Sequence, residues 1–172
     1  MLTTLHFNVG SNIDQKEKNS LFNNKQCEQY FAMKKLLFSN VYLSSFRANI
    51  GIAILRIYTG LSMAFGHGIN KIPPSGKFVE HVAVMGFPAP NFFSWVASIS
   101  EFGGGLLIAF GLMTRPASFF LGVTMFVAAF IRHGTSPFMQ KEKALLFMFI
   151  TILLILVGAG KYSIDRMIHR TP

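Results

Sequence analysis

A chain of 172 residues has room for one compact domain and a tail. Hydrophobic residues make up 51% of it and charged residues only 13%, about half the charge of an ordinary soluble domain. This excludes a disordered chain, argues against a soluble enzyme and leaves a membrane protein as the first candidate.

The net charge of +9, from 16 Lys and Arg against 7 Asp and Glu, is the usual hint of nucleic-acid binding, but position decides otherwise. Lys34, Lys35, Arg47, Lys71, Lys77, Arg115, Arg132, Lys141, Lys143, Lys161, Arg166 and Arg170 all lie between apolar runs; Arg56 alone interrupts one. Flanking cations answer to membrane topology and anionic headgroups, so the expected partner is the lipid bilayer and not nucleic acid. Cys27 is the sole cysteine, which excludes an internal disulfide, a Cys-x-x-Cys redox pair and a cysteine zinc site.

In chain order, residues 1–47 read as a largely disordered tail, with Met33-Lys34-Lys35-Leu36-Leu37-Phe38 resembling a natural protein start. Residues 48–165 read as the membrane domain and 166–172 as a short C-terminal tail. The first apolar segment runs from Asn49 to about Ile69, the second from Asn91 to Leu112, the third from Pro116 to Ile131 and the fourth from Ala144 to about Gly160. Each gives roughly 24–32 Å of helix against a hydrocarbon core near 30 Å, and none has the polar face of a soluble core helix. The expected fold is therefore all-α, a bundle of four transmembrane helices. Pro116 is expected at the first helical position, where its missing N–H costs nothing.

The link from 111 to 116 admits only a tight turn, which makes spans two and three antiparallel neighbours. The longer link between spans one and two opens with Pro73-Pro74-Ser75-Gly76 and closes with Gly86-Phe87-Pro88-Ala89-Pro90; Lys77 to Met85 between them is expected to form a short interfacial helix. An even span count puts both termini on one side. Seven membrane-proximal cations on that side against five on the other favour a cytoplasmic placement in a bacterial inner membrane.

Arg56 and Glu101 carry the chemical interest, because a charge on a spanning helix requires a partner or a water-filled cavity. If Asn49 and Leu112 mark the same membrane edge, Arg56 lies about 10 Å deep and Glu101 about 16 Å deep. An intramembrane ion pair is then within reach of the guanidinium. Two roles stay open: a staple between spans one and two, or a charged site for a quinone, a proton or an anion. Ser94, Ser98, Glu101 and Gly105 form one small, polar stripe; Arg56, Gly60, Met63 and His67 form another. His67, His81 and His133 fall at the far ends or loops, where they could hydrogen-bond a quinone carbonyl. Without two histidines at i, i+4 no metal is expected, and haem is disfavoured. Gly-x-Ser-x-Gly, Walker, His-Glu-x-x-His and dinucleotide signatures are all missing from the sequence. Any redox chemistry would use a lipid-soluble cofactor such as a quinone, or a redox partner protein.

Over roughly Ile50 to Asp165 the chain resembles the DoxX-like bacterial membrane proteins. The resemblance rests on Leu55-Arg56-Ile57-Tyr58-Thr59-Gly60 with Gly66-His67-Gly68 and Lys71, then Met85-Gly86-Phe87-Pro88-Ala89-Pro90, then Glu101-Phe102-Gly103-Gly104-Gly105 with Gly111-Leu112-Met113-Thr114-Arg115. It continues through Met125, Ala128, His133 and Glu142-Lys143 to Gly158-Ala159-Gly160-Lys161-Tyr162-Ser163-Ile164-Asp165. It implies a four-span inner-membrane protein, of the kind that serves as a membrane subunit of quinone- or thiol-linked redox complexes. Arg56, Lys71, Glu101, Arg115 and Asp165 match the charged pattern. No cysteine lies in the matched region, so thiol chemistry would come from a partner.

Overall fold

The computed structural model describes residues 26–29 and 45–168. Two compact units divide the chain, Met1–Ser39 and Asn40–Pro172. In the first, residues 26–29 form a helical turn that exposes Cys27. The proposed start at Met33 and most of the expected tail lie outside the described residues, as do residues 169–172.

The second unit is all helical among the described residues. Helix α1 (Phe46–Lys71) begins slightly before the expected apolar segment and closes in a wide i→i+5 turn, Ala64–Gly68, followed by a tight 3₁₀ turn, Ile69–Lys71. Helix α2 (Gly76–Val84) is the expected short helix. Ser75 starts it, its Oγ accepting from the Phe78 N–H at 3.3 Å. Helix α3 (Pro90–Phe110) carries a second wide turn at Ser100–Gly104. It ends on Gly111 at φ +70°, with Leu112 N–H donating to Leu107 O and Gly111 N–H to Ile108 O. That bond pair satisfies the last carbonyls in a geometry that glycine adopts without strain.

Helix α4 (Thr114–Arg132) has its wide turn at Val127–Arg132. Pro116 occupies its third position, not the first as expected, and is tolerated there because that N–H would have no intrahelical acceptor. Helix α5 (Phe138–Val157) and the short α6 (Ile164–Ile168) complete the described chain.

Helices α1, α3 and α4 are long and apolar enough to cross a membrane. The expected fourth crossing, α5, is 20 residues long, but Lys141, Glu142 and Lys143 occupy its first turns. Its uncharged stretch, 144–157, extends only about 21 Å.

Polarity is arranged inside out. Arg56, Glu101, Thr59, Ser94, Ser98 and Thr151 are buried, whereas Ile54, Tyr58, Phe119, Phe120, Phe126, Phe149 and Leu156 are exposed. A lipid solvent rewards this distribution and water does not.

Glycines set the register between α1 and α3. A Cβ on Gly60 would meet the Gly105 carbonyl, and would stand 2.6 Å from Ala109 N; one on Gly68 would stand 2.6 Å from Phe102 Cα. These are backbone contacts, which cannot swing aside as a side chain would. Gly60→Ala is expected to lower the melting temperature in mild detergent by several degrees. Gly51→Ala, which adds a methyl group into open space, should leave it unchanged or raise it slightly. Equal melting of the two variants would show that this contact does not set the packing.

Candidate functional site

One residue from each of the three wide turns, His67, Glu101 and Ala128, lines a common cavity. The turn in α1 holds His67 and leads into Lys71, that in α3 holds Glu101, and that in α4 holds Ala128 and Arg132. Such turns insert an extra residue into the helix and recur at functional sites. Here they aim Lys71 back between the helices, where its ammonium donates to both carboxylate oxygens of Glu101 at 2.7 Å. Glu101 is 3% exposed and Lys71 26% exposed, so the pair is anchored inside and reached from one side. The Phe78 ring of α2 covers the same ammonium, its centroid 5.3 Å from Nζ.

The pair forms part of the wall of two cavities. One, of about 410 Å³, is overwhelmingly apolar. Phe78 and Val82 of α2, with Met85, Phe87, Phe93, Val96 and Ala97, line one side of it, and Phe119, Phe120, Val123 and Val127 of α4 the other; Arg132 also reaches it. Phe119, Phe120 and Val123 also lie on the exposed apolar surface, which connects the cavity to the exterior of the bundle. The second cavity, of about 180 Å³, shares Lys71, Glu101 and Ala128 and is lined by His67, His133, Gln140 and Lys143.

Arg56 does not join this site. Gly60 against Gly105 and Ala109 places Arg56 level with Gly111, while Gly68 against Phe102 places Glu101 level with the far end of α1. The two charges are therefore separated by roughly 16 Å along the helices, too far for an ion pair. The expected Arg56–Glu101 pair is corrected on this ground. Asn49 is not level with Leu112, because α1 runs on past the 111–113 turn to meet the C-terminal segment.

Arg56 instead closes a clasp at the opposite end. Its Nη2 donates to the Tyr162 carbonyl at 2.7 Å, and Gly111 has no room for a Cβ beside the guanidinium. The Asp165 carboxylate accepts from Met113 N–H at 2.9 Å and Thr114 N–H at 3.3 Å, capping α4 from 51 and 52 residues away in sequence, and the Asp165 backbone N–H donates to Gly111 O. Asn49 Oδ1 accepts from Lys161 N–H at 3.3 Å. Arg115 Nη2 donates to Leu156 O at 3.3 Å. Thus Arg56, Arg115 and Asp165 serve the packing of this end.

The remaining candidates divide. Ser94 and Ser98 are fully buried, but their hydroxyls donate to Pro90 O and Ser94 O of their own helix, and they line neither cavity. His67 and His133 come together on the small cavity. His81 remains apart on α2, its Nδ1 2.7 Å from Lys77 O. Among the described residues no cluster of three metal-ligating side chains occurs. The sequence reading missed Lys71 as the partner of Glu101, and with it Arg132, Gln140, Lys143 and the phenylalanine lining. The available signal was the run of glycines beside His67 and Glu101, which permits the wide turns.

Comparison with known proteins agrees with this architecture. The family model for DoxX matches residues 51–134. The chain is 32% identical over 128 residues to the inner membrane protein YqjF of Escherichia coli (strain K12), covering 71% of this chain and 95% of that one. It is 29% identical over 122 residues to a Bacillus subtilis (strain 168) protein named "Putative oxidoreductase CatD", covering 70% of this chain and 89% of that one. No solved structure matches. With its apolar spanning helices, matched segment and near full-length relative, the chain belongs to the DoxX family.

Proposed function

We propose that this protein is a bacterial inner-membrane subunit of a redox complex and binds a quinone in the large cavity, its ring beside Lys71 and Glu101. The single observation that carries the reading is an ion pair, Glu101 buried and Lys71 half-buried, on the wall of a phenylalanine-lined cavity of about 410 Å³. That volume falls within the range of small-molecule sites, which pair apolar walls with a few placed polar groups. A quinone presents a flat apolar ring, two carbonyl acceptors and a lipid-soluble tail. The Lys71 ammonium can donate to one carbonyl, the phenylalanine rings can enclose the ring system, and the side of Phe119, Phe120 and Val123 gives the tail a way into lipid. Glu101 holds the ammonium in place and balances its charge in an apolar setting. The names of the relatives support the reading: one is called an inner membrane protein and the other "Putative oxidoreductase CatD". Electrons would, in this reading, arrive from a partner of the complex. In this reading α5 forms the fourth crossing, with Lys141 and Lys143 reaching back to the interface.

Ala97 lines the cavity. Ala97→Phe places a ring in the open space, and is expected to abolish binding of a short-tailed benzoquinone by the purified protein without lowering its melting temperature. Ala97→Ser should bind as the parent does. Undiminished binding by Ala97→Phe would place the quinone elsewhere and defeat the proposal.

A further inference from the structure

The smaller cavity differs from its neighbour in kind. His67 projects into it from α1, His133 from the end of α4, and Gln140 and Lys143 from one face of α5. Phe147, one turn further along that face, packs edge-on against the His67 ring at 6.1 Å between centroids and backs the imidazole. The polar atoms of these four side chains form no hydrogen bond or ion pair among the described residues. Glu101 is the one carboxylate on the wall, and Lys71 occupies both of its oxygens. What remains is an ammonium, which can only donate, beside two imidazoles and an amide that can each donate as well. At about 180 Å³ the space is too small for a quinone and ample for a compact ion with water.

We propose that this cavity is a binding site for a small anion, a carboxylate or an oxoanion, held chiefly by Lys143 and His133 and distinct from the apolar cavity across the Lys71–Glu101 pair. Charge selects the sign: with Lys71 and Glu101 neutralising each other, Lys143 leaves the site positive, and a cation would meet no free carboxylate. Position favours a water-soluble ligand, since His67, Gln140 and Lys143 are themselves exposed. The inference does not depend on a quinone occupying the larger cavity.

The test is thermal melting of the full chain in non-ionic detergent, titrated with sodium sulfate and with sodium acetate against sodium chloride at equal ionic strength. The expected result is a saturable rise in melting temperature with one or both anions. Its midpoint should move at least about tenfold higher in Lys143→Gln/His133→Gln, a loss of about 1.4 kcal/mol of binding. A non-saturating rise, equal in parent and variant, is the general effect of an excluded salt and overturns the proposal. The melting curve itself reports whether the variant is folded, and Lys143→Gln alone provides a milder second comparison. Repeating the titration with phosphatidylglycerol in the micelles separates the sources. Competition with sulfate assigns the donors to a lipid headgroup phosphate, additivity assigns them to a free ion, and both keep the anion site.

Discussion

Glu101→Gln is expected to weaken quinone binding by the purified protein at least about tenfold, and to stop quinone-linked electron flow in the assembled complex, while the protein still accumulates in the membrane. The amide keeps the size of the carboxylate and one acceptor for Lys71. It removes the negative charge that holds the ammonium against Phe78 and at the cavity wall. A hydrogen bond to a charged group contributes about 1.5–3 kcal/mol; here part of that is returned, because Lys71 is 26% exposed and can turn toward water. The ammonium that should meet a quinone carbonyl is then no longer fixed.

Lys71→Met/Glu101→Gln separates a site from a staple. Removing both charges leaves no uncompensated ion among the helices, and replacing a buried pair with uncharged groups is often neutral for stability. If the pair only fastens α1 to α3, the double variant should recover whatever Glu101→Gln loses. If it holds a ligand, the double variant should be stable, present in the membrane and unable to bind quinone. Full quinone binding by the double variant would remove the ion pair from the proposed function.

Much of the fold was legible because lipid leaves a coarse signal. Three of the four apolar segments became helices able to span, the turn at 111–113 is tight, and the short helix lies at Gly76–Val84. The register between helices was not legible. It depends on which glycine meets which backbone atom, and Gly60 against Ala109 differs from a seven-residue slide by nothing that composition records. That slide separates Arg56 from Glu101. Lys71 was readable as a loop cation and as part of the family's charged pattern, but not as the partner of Glu101, because its return toward that carboxylate requires the wide turn at Ala64–Gly68 and the tight turn after it. His67 and His133 were readable as residents of one end, and the structure brings both to one cavity. The charges that stood together in the sequence pattern thus belong to two ends with different work: Lys71 and Glu101 border the cavities, while Arg56, Arg115 and Asp165 bind the chain to itself.

Arg56→Ala should therefore damage the protein and not its chemistry. The guanidinium is 2% exposed, and its removal leaves the Tyr162 carbonyl without its donor, opens a void between Gly111 and Ser163, and takes away the positive charge facing Asp165. Removing one member of a buried charged arrangement costs about 3–5 kcal/mol, enough to lower the melting temperature sharply and reduce the amount in the membrane. Arg56→Lys is expected to recover little, since the shorter side chain ends before the point from which Nη2 donates to Tyr162 O, and leaves unfilled the space of the planar guanidinium beside Gly111. Gly111→Ala should look much the same, because its Cβ would fall on Arg56 and its φ of +70° disfavours a side chain. Whatever fraction of Arg56→Ala remains folded should bind quinone with the affinity of the parent, because Lys71 and Glu101 lie about 16 Å further along the helices. Melting and quinone titration of the same preparation read both quantities. A variant that melts normally but has lost quinone binding would return Arg56 to the site and overturn the division between the two ends.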